Sequence, residues 1–108
     1  MTVEKRIVQT LSPLGLPVVL GCCLEDDKRY IGYYVSRFGT QYADDGPGAE
    51  LCLIQIHIFA PLTENVNALV RRAQNALYLA GFLWPEVTDA TDKDGRHFVL
   101  ETQWLEGL

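Results

Sequence analysis

The last quarter of the chain constrains the fold most, because it contains the end of a helix and then two extended segments. An apolar pattern of helical spacing stops at Gly81, and glycine is the residue that most often ends a helix in a left-handed conformation. Strands are predicted near Trp84–Thr88 and Arg96–Leu105, joined by a turn at Lys93-Asp94-Gly95. A helix followed by a closing hairpin indicates an α+β fold.

The upstream part of the chain contains two patterns of helical spacing and three of strand alternation. In chain order they predict a helix capped by Thr2 and ended by Ser12-Pro13, strands at Val18–Leu20, Arg29–Phe38 and Leu51–Phe59, and a helix from Thr63 to Ala80. We therefore expect a single domain over residues 1–108, of order α-β-β-β-α-β-β. Its sheet should be mixed or antiparallel, with the helices packed on one face.

Two of these elements carry the clearest packing information. Leu51–Phe59 is apolar on nearly both sides, which predicts a central strand covered at least in part on both faces. The second helix has an apolar stripe about 120° wide that matches a core-facing surface. The stripe consists of Val66, Leu69, Val70, Ala73, Ala76, Leu77 and Ala80. Tyr78, Leu79 and the pair Arg71-Arg72 lie outside it and should face solvent or a partner.

Residues Gly39 to Ala49 have strong turn chemistry, with Asp44, Asp45, Gly46, Pro47 and Gly48 in succession. This predicts a loop of about ten residues, a length at which loops are often functional. It could extend from the body of the domain.

Composition favours an assembling protein over a nucleic-acid binder. The 108 residues are 48% hydrophobic with a mean hydropathy of +0.04, so some apolar surface should lack room inside a core this small. Burial against copies of the same chain would cover it. The net charge of −5, with basic residues in scattered pairs, does not supply the basic face that direct nucleic-acid binding requires.

The three cysteines, Cys22, Cys23 and Cys52, have neither disulfide-framework nor zinc spacing. They predict reduced, mostly buried thiols in a cytosolic chain. No segment has the apolar length of a signal peptide or a membrane span, so we expect a soluble, unexported protein.

The remaining candidates for chemistry are weak. His57 and His97 would form a metal pair if their strands were neighbours, but no third ligand is fixed, and hydrogen-bonded structural histidines are favoured. The acids Glu86, Asp89, Asp92 and Asp94 resemble a calcium loop only loosely, and Asp94-Gly95 favours a hairpin turn. We expect no catalytic residue, no metal site, no cofactor and no enzyme activity.

Several segments resemble the tail-completion or tail-terminator proteins of long-tailed bacteriophages and prophages. In order they are Leu14-Gly15-Leu16-Pro17-Val18, Tyr30-Ile31-Gly32-Tyr33-Tyr34, Ile54-Gln55-Ile56-His57-Ile58-Phe59-Ala60-Pro61, Ala80-Gly81-Phe82 and Gly95-Arg96-His97-Phe98-Val99-Leu100-Glu101. Each is short, and their order and spacing carry the resemblance. The departures are Cys22-Cys23 and the short Gly107-Leu108 end.

This resemblance implies a protomer that forms a homo-oligomeric ring, commonly a hexamer, in the bacterial host cytoplasm and then in the virion tail. The ring would cap the tail tube protein and join the tail to the head-completion or connector proteins. It implies no cofactor, no membrane and no sequence-specific nucleic-acid binding.

Two hypotheses place surfaces on that ring. Acids would line a channel that repels DNA phosphates, and exposed apolar residues with the long loop would form protomer contacts. The channel candidates are Asp44, Asp45, Asp89, Asp92 and Asp94; the contact candidates are Tyr78, Leu79, Trp84 and Asp44-Asp45-Gly46-Pro47-Gly48. The alternatives are a small-molecule-binding regulatory α+β domain and an enzyme that uses His57 or His97 with an acid such as Glu101.

Overall fold

The structure, a computed structural model, describes residues 1–21, 29–43 and 46–107. Its elements run α1 (Val3–Leu11), a 3-10 turn (Ser12–Leu14), β1 (Val18–Leu20), β2 (Tyr30–Ala43), β3 (Gly46–Ala60), α2 (Asn67–Leu79), β4 (Glu86–Asp89) and β5 (Arg96–Gly107). This is the predicted α+β order in one domain. No helix in the described ranges is both long and apolar enough to cross a membrane.

The five strands form one mixed sheet of order β1-β2-β3-β5-β4. β1 pairs with β2 in parallel, and the other three pairings are antiparallel. β3 is central, as its apolar sequence predicts. The two edge strands are short, so the long strands β2, β3 and β5 form most of the sheet.

Both helices pack on one face of this sheet, which we call the covered face. The core there joins Ile54, Ile56 and Ile58 of β3 to the buried stripes of α1 and α2. Those stripes are Val3, Ile7 and Leu11 in α1, and Val70, Ala73 and Leu77 in α2. Each fully buried aliphatic side chain contributes about 1.5–3 kcal/mol, so this row of contacts is the main source of stability.

The prediction that β3 is covered at least in part on both faces is confirmed in full for one face and only in part for the other. Side chains on its other face are partly or largely exposed: Leu53 is 38% exposed, and Gln55 is exposed as well. Two helices of 9 and 13 residues on one side leave no described element for the other. We call this second surface the open face.

The predicted loop over Gly39–Ala49 is also wrong. β2 and β3 remain paired through Gly39↔Glu50 and Thr40↔Ala49 as far as Ala43↔Gly46, and Asp44 and Asp45 lie outside the described residues. Turn-forming residues can sit in this extension because β5 pairs with β3 only from Ala49 onward in the described range. Proline has no N–H to donate, so Pro47 is tolerated at a position where β3 has a paired strand on only one side.

Helix boundaries follow the sequence at three of four ends. Thr2 caps α1 by accepting a hydrogen bond from the Lys5 backbone N–H (3.2 Å). α2 begins at Asn67 and not after Thr63: its N-cap is Val66, which makes no side-chain capping bond, and Asn65 just before it accepts from the Asn67 N–H (3.0 Å). The predicted cap at Thr63 is therefore wrong.

The end of α2 is a Schellman motif around Gly81. The Phe82 N–H donates to the Leu77 carbonyl (3.0 Å), and the Gly81 N–H donates to the Tyr78 carbonyl (3.0 Å). Gly81 has φ 102°, and a Cβ built there would lie 3.1 Å from Trp104. The motif therefore fixes the helix end directly against β5.

We expect Gly81→Ala to lower the free energy of unfolding by about 1–3 kcal/mol, through left-handed strain and the contact with Trp104. Gly15→Ala is the matched control, because Gly15 has φ 90° but open space around its Cβ position. Urea unfolding of both variants measures the difference. Equal losses would show that the Trp104 contact contributes nothing.

Candidate functional site

The open face presents five rows of side chains across β2, β3 and β5. The rows are Tyr30–Phe59–His97, Gly32–His57–Val99, Tyr34–Gln55–Glu101, Ser36–Leu53–Gln103 and Phe38–Leu51–Leu105. The first row joins two aromatic rings to His97, and the second contains His57. The third row is polar, and the last carries exposed apolar side chains. Phe38 is 53% exposed and Leu105 is 55% exposed. An apolar end of this kind is typical of an interaction surface.

A groove of about 610 Å³ crosses the open face beside the segment that leads into β4. Leu83 and Trp84 form one wall, and Tyr34, Leu53 and Gln55 lie opposite. The Leu83 N–H donates to the Gln103 carbonyl (3.2 Å), and the Thr102 hydroxyl donates to the Leu83 carbonyl. This wall is thus fixed to β5.

The same segment is anchored to α2. The Gln74 side chain donates to the Pro85 carbonyl (3.0 Å), and the Pro85 side chain is fully buried. Trp84 packs edge-on against Tyr78, with ring centroids 5.5 Å apart. The groove wall therefore has a defined position, and it ends beside the exposed end of α2.

The predicted contact residues Tyr78, Leu79 and Trp84 are all exposed, and Leu79 is 84% exposed. The structure brings Tyr78 and Trp84 together. Gly46, Pro47 and Gly48 are instead the first residues of β3, at the opposite end from Ala60. Asp44 and Asp45 lie outside the described residues, so the structure gives no position for that part of the predicted contact.

Two carboxylates border the groove. Glu86 of β4 and Glu101 of β5 are directly paired across the strands, and both are exposed. Like charges in opposed positions are unfavourable. Neither residue has an ion pair with another described residue, since those pairs join Arg29 to Glu64 and Arg37 to Glu4 and Glu50. A cation from outside the chain would relieve this repulsion.

The two histidines lie on adjacent strands of the open face, as the spacing allowed. His57 Nδ1 and His97 Nε2 are 2.8 Å apart, in a hydrogen bond whose donor depends on the tautomer. His97 stacks on Phe59 at 4.3 Å, and Phe59 stacks on Tyr30 at 4.7 Å. The pair therefore completes an aromatic stack.

Burial lowers the pKa of both imidazoles. For His57 the neighbouring His97 lowers the pKa further, while Glu101 opposes the shift; for His97 the opposing charge is Asp92. Both rings are therefore held neutral near neutral pH. Two rings that share one hydrogen bond cannot both be protonated without repulsion.

The histidines are not part of a metal-binding group of three among the described residues. One such group exists there, formed by Glu50, Cys52 and Glu106 on the covered face. Arg37 already pairs with Glu50 (3.2 Å) and Glu4, and burial raises the pKa of the Cys52 thiol. A metal would need the thiolate and would compete with Arg37, so this group is best described as an ion-pair cluster.

The acids after β4 form turns, as Asp94-Gly95 predicted. The Asp92 carboxylate accepts from the Asp94 N–H (2.8 Å), and the Asp89 carboxylate accepts from the Thr91 N–H (2.9 Å). Asp92 and Gly95 form a bridge that closes the hairpin. The three acids Asp89, Asp92 and Asp94 are exposed at the Ala60 end of the sheet.

The channel hypothesis joins these three acids to Asp44 and Asp45, which lie outside the described residues, so the structure does not test that grouping. Residues Ala43 and Gly46, which flank Asp44 and Asp45, are at the other end of β3 from Ala60. Fourteen steps along a strand span about 46 Å. Asp89, Asp92 and Asp94 are the described members of the set, and these three share one region.

The sequence did not identify Leu53, Leu83, Phe38 and Leu105 as surface residues. For Leu53, in a strand predicted to be covered on both faces, only the face it shares with Gln55 signalled exposure. Compared with models of protein families and with curated proteins, the chain matches none of them.

Below pH about 6.5, the ordinary histidine value, the unfolded chain binds more protons than the folded one, so we expect stability to fall as pH drops from about 7.5 to 5.5. Urea unfolding at both pH values measures the loss. The chain has only two histidines, so His57→Gln combined with His97→Gln should flatten the dependence. An unchanged slope in that variant would contradict the assignment.

Proposed function

We propose that this chain is a structural assembly protein of a long-tailed bacteriophage or prophage. It is a ring-forming subunit that caps the tail tube and helps to join the tail to the head. The observation that carries the self-assembly part is the open face, an uncovered sheet surface with exposed Phe38, Leu53 and Leu105. The tail identity is supported by the sequence resemblance.

The shape of the domain supports assembly. Its extents are 54 × 26 × 22 Å, because β2, β3 and β5 are 14, 15 and 12 residues long while their neighbours are short. β1 pairs only with Ile31–Tyr33, and β4 pairs only with Phe98–Glu101. Most of the outer length of β2 and β5 therefore lacks a paired strand in the described part of the chain. Open strand edges are contact surfaces for other chains.

The acids at one end of the sheet fit a ring through which DNA passes. Asp89, Asp92 and Asp94 are exposed and close in sequence. Placed on a lumen, they would repel phosphate and keep the duplex from adhering. The partners are copies of this chain, the tail tube protein and the head-completion or connector proteins; the chain acts in the host cytoplasm and then in the virion tail.

A small-molecule-binding regulatory domain is the second candidate, and the groove favours it. Its volume of about 610 Å³ falls within the range of about 300–1,000 Å³ that is usual for ligand sites. Gln55, Gln103, Glu86 and Glu101 converge on it. Saturable binding of a small molecule to a monomer that never assembles would favour this reading over a ring.

The direct test mixes the purified chain with the tail tube protein encoded in the same genome. Light scattering after size exclusion, and negative-stain microscopy, should show ring-sized particles with a central hole. Tube polymerisation should stop at a shorter length, with rings at tube ends. A chain that neither assembles nor alters tube growth would rule out the proposal.

Leu79→Glu should weaken assembly, because it places a charge on an apolar side chain that is 84% exposed at the end of α2. The free energy of unfolding of the monomer should change by less than about 0.5 kcal/mol, as is usual for surface substitutions. Leu62→Glu, on an exposed leucine away from α2, is the matched control. Light scattering measures the oligomer and urea unfolding the monomer. An intact oligomer in Leu79→Glu would contradict this contact.

A further inference from the structure

The outer surface of α2 is the basic, partly apolar counterpart of the acidic groove. From its second turn onward the exposed residues, at helical spacing, are Arg71, Arg72, Asn75, Tyr78 and Leu79. We call them the outer face of α2. Arg71 and Arg72 have no ion pair with any described residue.

Each of the other arginines in the described ranges already has a partner within its own chain. Arg6 lies over the Trp104 ring at 4.5 Å, and Arg29 pairs with Glu64 at 3.0 Å. Arg37 is held by two glutamates, and the Arg96 guanidinium donates to the Glu64 carbonyl (3.1 Å). In a chain of net charge −5, this makes Arg71-Arg72 the natural partner for an acidic surface.

The groove is suited to arginine in particular. Glu86 and Glu101 are opposed across β4 and β5, and Trp84 and Tyr34 line the same groove. Guanidinium groups pair with carboxylates and also stack on aromatic rings. Leu83 and Leu53 provide apolar surface beside the acids, as Tyr78 and Leu79 do beside the arginines.

The two surfaces adjoin at one edge, where Tyr78 of α2 touches Trp84 of the groove wall, but within one copy no ion pair joins Arg71 or Arg72 to Glu86 or Glu101. α2 packs on the covered face, its outer face points away from the sheet, and the groove lies on the open face. Two open faces placed against each other would bring Glu86 and Glu101 near the same acids of the second copy. Charge therefore disfavours a symmetric face-to-face dimer and favours a contact between unlike surfaces.

We propose that the outer face of α2 of one copy docks in the groove of the next, with Arg71 and Arg72 against Glu86 and Glu101. This inference rests on the proposed self-assembly and identifies its contact. The contact gives the open sheet a second helical layer. It joins unlike surfaces head to tail, and such contacts produce closed rings or open filaments.

Charge reversal tests the contact. Arg71→Glu/Arg72→Glu and Glu86→Arg/Glu101→Arg should each weaken self-association by about tenfold or more, because each places like charges across the contact. The matched control for the arginine variant is Lys5→Glu/Lys93→Glu, which lowers the net charge by the same amount at exposed sites elsewhere. Sedimentation velocity over a concentration series measures association, and circular dichroism confirms folding of each variant.

The decisive measurement mixes the two reversed variants. In the mixture every contact again joins opposite charges, so assembly should return, and a single chain with all four substitutions should assemble by itself. Association of the wild type should also weaken with salt, whose screening length shortens from about 30 Å at 0.01 M to about 3 Å at 1 M.

Failure of this contact is distinguishable from failure of the proposed function. If the reversed variants assemble like the wild type, or if mixing them restores nothing, the contact is wrong while ring formation and tube capping stand. A wild-type chain that stays monomeric at every concentration and salt overturns the contact. If it also leaves tube growth unchanged, the proposed function fails with it.

Discussion

Burial on only one side of the sheet is the constraint on which the rest of the structure depends. The row Ile54, Ile56 and Ile58 is sealed by α1 and α2. A chain with two short helices can cover one face of three long strands but not both. Folding therefore leaves the open face with apolar side chains that a single copy cannot bury.

On the open face, the character of the side chains changes with position along the strands. Near Ala60 the side chains satisfy one another, through the His57–His97 hydrogen bond and the Tyr30–Phe59 stack. Toward the other end, Phe38, Leu53 and Leu105 have more exposure. The groove with its two glutamates lies between these regions. Along its length the open face thus changes from side chains that contact one another to apolar side chains that remain exposed. In the proposed assembly, the contacts would concentrate at this exposed end and at the groove.

The sequence predicts the fold well where local chemistry and burial agree. Thr2 caps α1, Gly81 ends α2 and Asp94-Gly95 forms a turn, and each of these depends on only a few neighbouring residues.

Prediction from the sequence fails where the residue that decides the structure is distant along the chain. The glycines and Pro47 suggested a loop, but pairing with β2 extended the strand. Leu53 suggested a covered position, because the local sequence of β3 does not show how many helices are available to cover its two faces. The site was predictable only in part: Tyr78, Leu79 and Trp84 were placed at a surface, but the pairing of Glu86 with Glu101 depends on a register that no local pattern specifies.

The two-residue period of the strands assigns one set of side chains to the core and the alternate set to the surface proposed for assembly. Along β3, Cys52, Ile54, Ile56 and Ile58 face the helices, while Leu53, Gln55 and His57 face outward. A shift of one residue in register would exchange these sets, burying Gln55 and His57 and exposing the isoleucines. The same core that stabilises the monomer therefore fixes which residues face outward, and in the proposed assembly these would meet a partner. Outward-facing residues take little part in the core, so charges on the open face can be arranged for association with small effect on folding. The opposed glutamates Glu86 and Glu101 are an arrangement that folding alone does not require.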